Sequence, residues 1–149
     1  MLATIGLGSC IGLVLMDAGR GAVGLAHIML PDARGDADAP ARFADEAVPA
    51  LTGALAALGA RPQQLDAVLV GGAQLFGSSL EIGARNDEAV NAALAAARIP
   101  VRAAATGGTI GRSMWVSVDE LSVTVREYSA APTELYRPWV ATLAGAGGA

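Results

Sequence analysis

The 149-residue chain predicts an α+β domain, with two main helices packed on a layered, mainly antiparallel β-sheet. Three observations carry that expectation. Short apolar runs of strand length recur at both ends of the chain and are cut by glycine-containing breaks. Two longer central segments have helical signatures, one of them with apolar residues at helical spacing. Their order, strands then helix, strand, helix and strands, is that of helices gathered on one side of an antiparallel sheet. Apolar residues make up 53% of the chain, enough for a core, against 16% charged.

Taken in order, residues 2–7 and 10–16 read as strands separated by Gly8-Ser9, and "DAGRG" (Asp17 to Gly21) as a turn. "AVGLAHIMLP" reads as a third strand stopped by Pro31, and Asp32 to Pro40 as an exposed loop able to cover a neighbouring site. Phe43 to Leu58 has apolar residues at 43, 47, 48, 51, 55 and 58, a helical period. Pro49 is expected to kink or break that helix, and Gly59 to end it. "LDAVLVGGA" reads as a buried strand, and "RNDEAVNAALAAARI" as a second helix capped by Asn86 or Asp87. "VRAAATGG", "SMWVSV" and "LSVTVREY" read as three further strands. The domain is expected over residues 1–128, with 129–149, ending in "AGAGGA", as a partly frayed tail.

Composition narrows the chemistry. All ten basic residues are arginines scattered along a chain of net charge −4, which argues against nucleic-acid binding. The absence of lysine excludes a P-loop lysine, a Schiff-base lysine and a Ser-Lys dyad. One cysteine and one histidine leave no zinc-type ligand set, so neither metal nor cofactor is expected. A lone cysteine suits a reducing cytoplasm, and no apolar run approaches the ~20 residues of a membrane helix. The N-terminus does not read as a signal peptide.

"GLGSCIG" fails as a dinucleotide fingerprint, because Ile11 stands where the third glycine belongs and no acidic residue follows at the ribose spacing. "GGTIG" (Gly107 to Gly111) suits a hairpin or tight turn between strands better than an anion site, since no helix pattern follows.

Cys10 and His27 are the remaining reactive pair. Each alone is most often an ordinary buried residue. Their spacing changes that: if Asp17 to Arg20 form a four-residue hairpin loop, Met16 pairs with Gly21 and Cys10 lies directly opposite His27. Opposed Cβ atoms are about 4.5–5.5 Å apart, within reach of a thiol–imidazole contact that would favour the thiolate. A one-residue slip would separate them. Small residues in "GLGS" leave backbone N–H groups around Gly8 and Ser9 as oxyanion donors. Together these are the parts of an acyl-transfer site.

The same residues resemble the chemoreceptor glutamine deamidases (CheD). "TIGLGSC", then "HIMLP" beginning seventeen residues after the cysteine, are followed in order by "RFADEAVPALTGALAALGA", "VGGAQLF", "IGARN" and "GGTIGR". The set spans most of residues 2 to 126. The chain departs from the family pattern in a shorter lead before the threonine and in lacking an acidic residue before Gly107-Gly108.

The resemblance implies a fold similar to the catalytic fold of the cytotoxic necrotizing factors, with a Cys-His-Thr site on Cys10, His27 and Thr4. It implies hydrolysis of glutamine side-chain amides on methyl-accepting chemotaxis receptors, with methyl-ester removal in some members. It also implies a phosphatase partner resembling CheC. The alternative is a weakly active or inactive module that docks such a phosphatase and tunes it, and a further one is a cysteine hydrolase of another amide or ester. Arg85 and Asn86 stand as substrate-binding candidates beside the reading as a helix cap and surface ion pair. Arg112 and Trp115 are weaker ones, Trp115 being more at home in a core.

Overall fold

The computed structural model describes residues 1–33, 40–75 and 81–139. It contains the strands β1 (Leu2–Leu7), β2 (Ile11–Asp17), β3 (Ala22–Ile28) and β4 (Asp66–Gly71), then β5 (Val101–Thr106), β6 (Arg112–Val116), β7 (Val123–Glu127) and β8 (Thr133–Tyr136). Helices α1 (Ala44–Ala57) and α2 (Ile82–Ala96) flank β4 in sequence. The strands form two sheets, ordered β1-β6-β7-β8 and β3-β2-β4-β5. Every pair is antiparallel except β4 with β5.

The β3-β2-β4-β5 sheet is the middle of three layers, and this explains its continuous apolar runs. Along β2, Ile11, Leu13 and Leu15 face the helices, packing with Val48, Leu55, Val90 and Leu94. Val14 and Met16 face the other sheet, packing with Leu7, Met114, Val116 and Val123. All of these side chains are at most 2% exposed, and each contributes about 1.5–3 kcal/mol by leaving water.

The β2–β3 hairpin differs from the expected one in register. The four-residue loop is Ala18 to Gly21, closed by Gly21 in the left-handed region (φ 66°), and Asp17 pairs with Ala22. Each β2 residue therefore meets a partner two positions further along than expected, and His27 pairs with Gly12 rather than Cys10. A two-residue displacement preserves strand parity, so His27 keeps its face.

Other expectations also shift. The third strand stops at Ile28, and Leu30 forms an isolated bridge to Phe43. Residues 34–39 of the expected exposed loop lie outside the described residues. Pro49 sits inside α1 without breaking it. It removes one N–H bond to the carbonyl four residues earlier, and both Pro49 and Asp45 are exposed, so the freed carbonyl lies on the solvent side of the helix. After Leu58, the Ala60 N–H bonds to Leu55 C=O at 3.0 Å, with Gly59 at φ 96°, the glycine ending expected for α1.

α2 starts at Ile82 with Glu81 as its N-cap, so neither Asn86 nor Asp87 caps it. Gly107 to Gly111 joins strands of different sheets and is not a hairpin. Within the expected tail, β8 pairs with β7. No helix among the described residues is long and apolar enough to cross a membrane.

Candidate active site

The register places Gly12 opposite His27, and the missing side chain is what lets the two sheets meet there. A Cβ at Gly12 would run into Met114 Sδ and would lie 3.2 Å from Thr4 Cγ2. Thr4, on β1 and paired with Met114, fills this space and is 8% exposed. Its Oγ1 lies 2.9 Å from His27 Nδ1, a hydrogen bond between side chains of two sheets. The His27 residue is otherwise exposed.

Cys10 stands one residue before β2, on the same strand parity as Gly12, and is therefore a diagonal rather than a direct neighbour of His27. In a regular ladder such diagonals are about 7–8 Å apart, close enough for a hydrogen bond only when the side chains turn toward each other. None joins them, and the only cause acting on the Cys10 thiol is burial, which pushes it up from its ordinary value. The contact expected from direct opposition of Cys10 and His27 is thus absent at rest, and the thiol is half-buried.

The Gly8-Ser9-Cys10 segment is anchored through its carbonyls. Ala73 N–H donates to Gly8 C=O at 2.8 Å and Gly72 N–H to Cys10 C=O at 2.9 Å. Asn86 Nδ2 donates to Ser9 C=O at 2.9 Å. Among the described residues, no acceptor takes the Ser9 or Cys10 N–H.

This close packing depends on two glycines. A Cβ on Gly71 (φ 117°) would run into the Cys10 carbonyl oxygen, and one on Gly83 would sit 2.6 Å from Gly72 O. The motifs "VGGA" and "IGARN" are where β4 and α2 press on the cysteine loop.

A cleft of about 770 Å³ opens beside this loop, lined among others by Ser9, Cys10, Met29, Leu30, Arg42 and Arg85. Met29 and Leu30 are 41% and 46% exposed. Arg85 is an exposed residue on the first turn of α2, as a substrate contact requires. Asn86 is 0% exposed and its Nδ2 donates to this chain's own backbone, Ser9 C=O and Met29 C=O, so it does not reach the cleft.

Arg112 is buried and donates to Gly107 C=O at 2.8 Å, which makes it a strut of the glycine turn. Trp115 is half-buried, with the Arg126 guanidinium 5.7 Å from its ring centre. Among the described residues, no cluster of His, Cys, Asp and Glu is able to hold a metal.

Sequence reasoning missed Arg42, Met29 and Leu30, which come together only because Met29 and Leu30 N–H both donate to Arg42 C=O, at 2.8 and 3.2 Å. The role of Asn86 had a signal. Gly83, Asn86, Val90 and Leu94 form the buried stripe of α2, and an amide within such a stripe must bond to something inside.

A helix–sheet–sheet protein with a thiol, an imidazole held at Nδ1 by a threonine, and N–H groups beside the thiol that have no acceptor among the described residues has the parts of a cysteine hydrolase. The CheD family profile, described as CheD chemotactic sensory transduction, matches residues 29–127. A chemoreceptor glutamine deamidase CheD of Thermotoga maritima is 38% identical over 128 residues, covering 85% of this chain and 82% of that one. A probable chemoreceptor glutamine deamidase CheD of Geobacillus kaustophilus is 45% identical over 123 residues, 76% of this chain and 74% of that one. Another, of Moorella thermoacetica, is 43% identical over 133 residues, 84% and 80%. The chain belongs to the CheD family.

Proposed function

We propose that this protein is a cytoplasmic glutamine deamidase acting on methyl-accepting chemotaxis receptors, with Cys10 as nucleophile, His27 as base and acid, and Thr4 as orienter. The observation that carries the reading is the Thr4 Oγ1–His27 Nδ1 hydrogen bond at 2.9 Å beside a cysteine loop whose Ser9 and Cys10 N–H groups have no acceptor among the described residues. Family membership supplies the substrate class.

With the proton on Nδ1 donating to Thr4 Oγ1, His27 Nε2 carries a lone pair. It accepts the Cys10 thiol proton on a turn of the side chain or through one water, since the resting pair is diagonal. The sulfur bonds to the glutamine amide carbon, and the carbonyl oxygen becomes an oxyanion held by the Ser9 and Cys10 N–H groups. His27 Nε2–H passes its proton to the amide nitrogen, the C–N bond breaks and ammonia leaves. His27 then removes a proton from water, the hydroxide adds to the thioester, and the C–S bond breaks to give glutamate and the thiol.

The cleft supplies recognition. Met29 and Leu30 offer an apolar floor, and Arg42 and Arg85 offer cations on an otherwise acidic protein. Mass spectrometry of a cognate receptor fragment tests the reading. The wild type converts glutamine to glutamate and Cys10→Ala does not; equal conversion by both contradicts the assignment.

A further inference from the structure

Asn86 is the fifth residue of α2 and is wholly enclosed, yet its side chain serves no helix cap and touches no cleft. Both donors of its amide are spent on carbonyls from two other elements: Ser9 C=O at 2.9 Å, in the cysteine loop, and Met29 C=O at 3.0 Å, two residues beyond His27. Its Oδ1 is buried with no partner among the described residues. A buried acceptor left unsatisfied is destabilising, so the amide is held where its donors matter more than its own comfort.

The peptide unit converts this hold into direction. In a planar trans peptide the N–H points opposite to the preceding C=O. Fixing Ser9 C=O against Asn86 therefore fixes the Cys10 N–H on the opposite side, and that N–H has no acceptor among the described residues. The bond to Met29 C=O ties the end of the β3 segment to the same amide. One side chain thus sets the cysteine loop against the strand that carries the histidine.

We propose that Asn86 is the positioning residue of the thiol site, aiming the Cys10 N–H at the developing oxyanion and holding the Cys10 loop in register with His27. The inference rests on the reading of Cys10 as nucleophile. It assigns Asn86 no contact with substrate.

The test separates aiming from packing. Alkylation of Cys10 by iodoacetamide displaces iodide at carbon and needs no oxyanion donor, whereas deamidation does. Asn86→Asp keeps the shape and loses both donors, and Asn86→Ala loses shape and donors together. In both variants kcat is expected to fall about 10–10³-fold while KM and the alkylation rate stay within about threefold of wild type. An unchanged kcat overturns the proposal. So does an alkylation rate that falls in step with kcat, since Asn86 would then only pack the loop.

A second measurement needs no variant. A receptor peptide carrying a side-chain aldehyde in place of the glutamine amide adds the thiol across its C=O, giving a thiohemiacetal. In ¹⁵N-labelled wild-type protein the Cys10 and Ser9 amide protons are expected to move strongly downfield in this adduct; unmoved amides overturn the proposal. Failure of the nucleophile assignment itself shows differently, as a peptide aldehyde that does not add to Cys10 and a Cys10→Ala variant that deamidates like wild type.

Discussion

The two ends of β2 carry opposite polar chemistry within one buried strand. At one end Asp17, 1% exposed, accepts from Arg61 N–H at 2.9 Å and pairs with Arg20 at 3.2 Å. At the other, the Ser9 and Cys10 N–H groups and the neighbouring Asn86 Oδ1 are left without partners among the described residues. Both ends are hydrogen-bonded to neighbouring segments. What differs is that the Asp17 end commits its polar groups to closing the hairpin, while the Cys10 end anchors its carbonyls and leaves its donors open. Unsatisfied donors on a rigid frame are what an oxyanion requires, and they cost stability rather than supply it.

Substitutions at the two ends sharpen this contrast. At the Cys10 end His27→Asn is expected to lower kcat about 10²–10⁴-fold, the range for loss of a general base. Because His27 pairs with Gly12 and makes no hydrogen bond to Cys10 at rest, iodoacetamide should alkylate Cys10 at nearly the wild-type rate in this variant. A large drop in alkylation would mean that a thiolate–imidazolium pair exists at rest. Thr4→Val removes the partner of Nδ1 and keeps the shape. The expected loss in kcat is about 10²-fold, less than the ~10⁴ that follows loss of a charged orienter. Thr4→Ser should restore most of it.

At the Asp17 end, Asp17→Ala should leave kcat per folded molecule unchanged and cost about 1–3 kcal/mol in urea unfolding, because Arg61 N–H loses its acceptor. Burial pushes the Asp17 carboxyl up, but the Arg61 N–H and the Arg20 bond and charge outweigh it, holding it below the usual carboxylate range. A carboxyl lowered by folding stabilises above its unfolded value, and that contribution is lost as pH falls through its folded value. The gap between wild type and Asp17→Ala should therefore be full at neutral pH and narrow in acid. A gap independent of pH would assign the effect to packing.

Much of this was legible in the sequence, for reasons that differ by residue. The apolar runs of β2 and β4 and the helical period of α1 announce themselves, because burial dictates residue type directly. The hairpin register was not legible, since Asp17 to Arg20 and Ala18 to Gly21 are equally good four-residue loops by composition. The choice falls to Gly21, which alone adopts φ 66° without strain, and to the Asp17 contacts with Arg61 from a distant segment. β8 was hidden because Thr133 to Tyr136 is an exposed or half-buried edge strand with no apolar run.

The start of α2 was misread at Asn86 because asparagine favours caps in general. Here two carbonyls, far off in sequence, outbid the helix end. Thr4 as a partner of His27 came only from family resemblance, because a strand threonine carries no local sign of what it meets across two sheets.

The central claim is that the open end of β2 does covalent chemistry through Cys10. Acid-quenched intact-mass analysis of the wild-type protein, stopped within the first turnover on a receptor fragment, tests it most directly. The account predicts a species with the mass of protein plus fragment less ammonia, mapped to Cys10 and absent from Cys10→Ala. Conversion of glutamine to glutamate with no adduct on Cys10, persisting in Cys10→Ala, would contradict it.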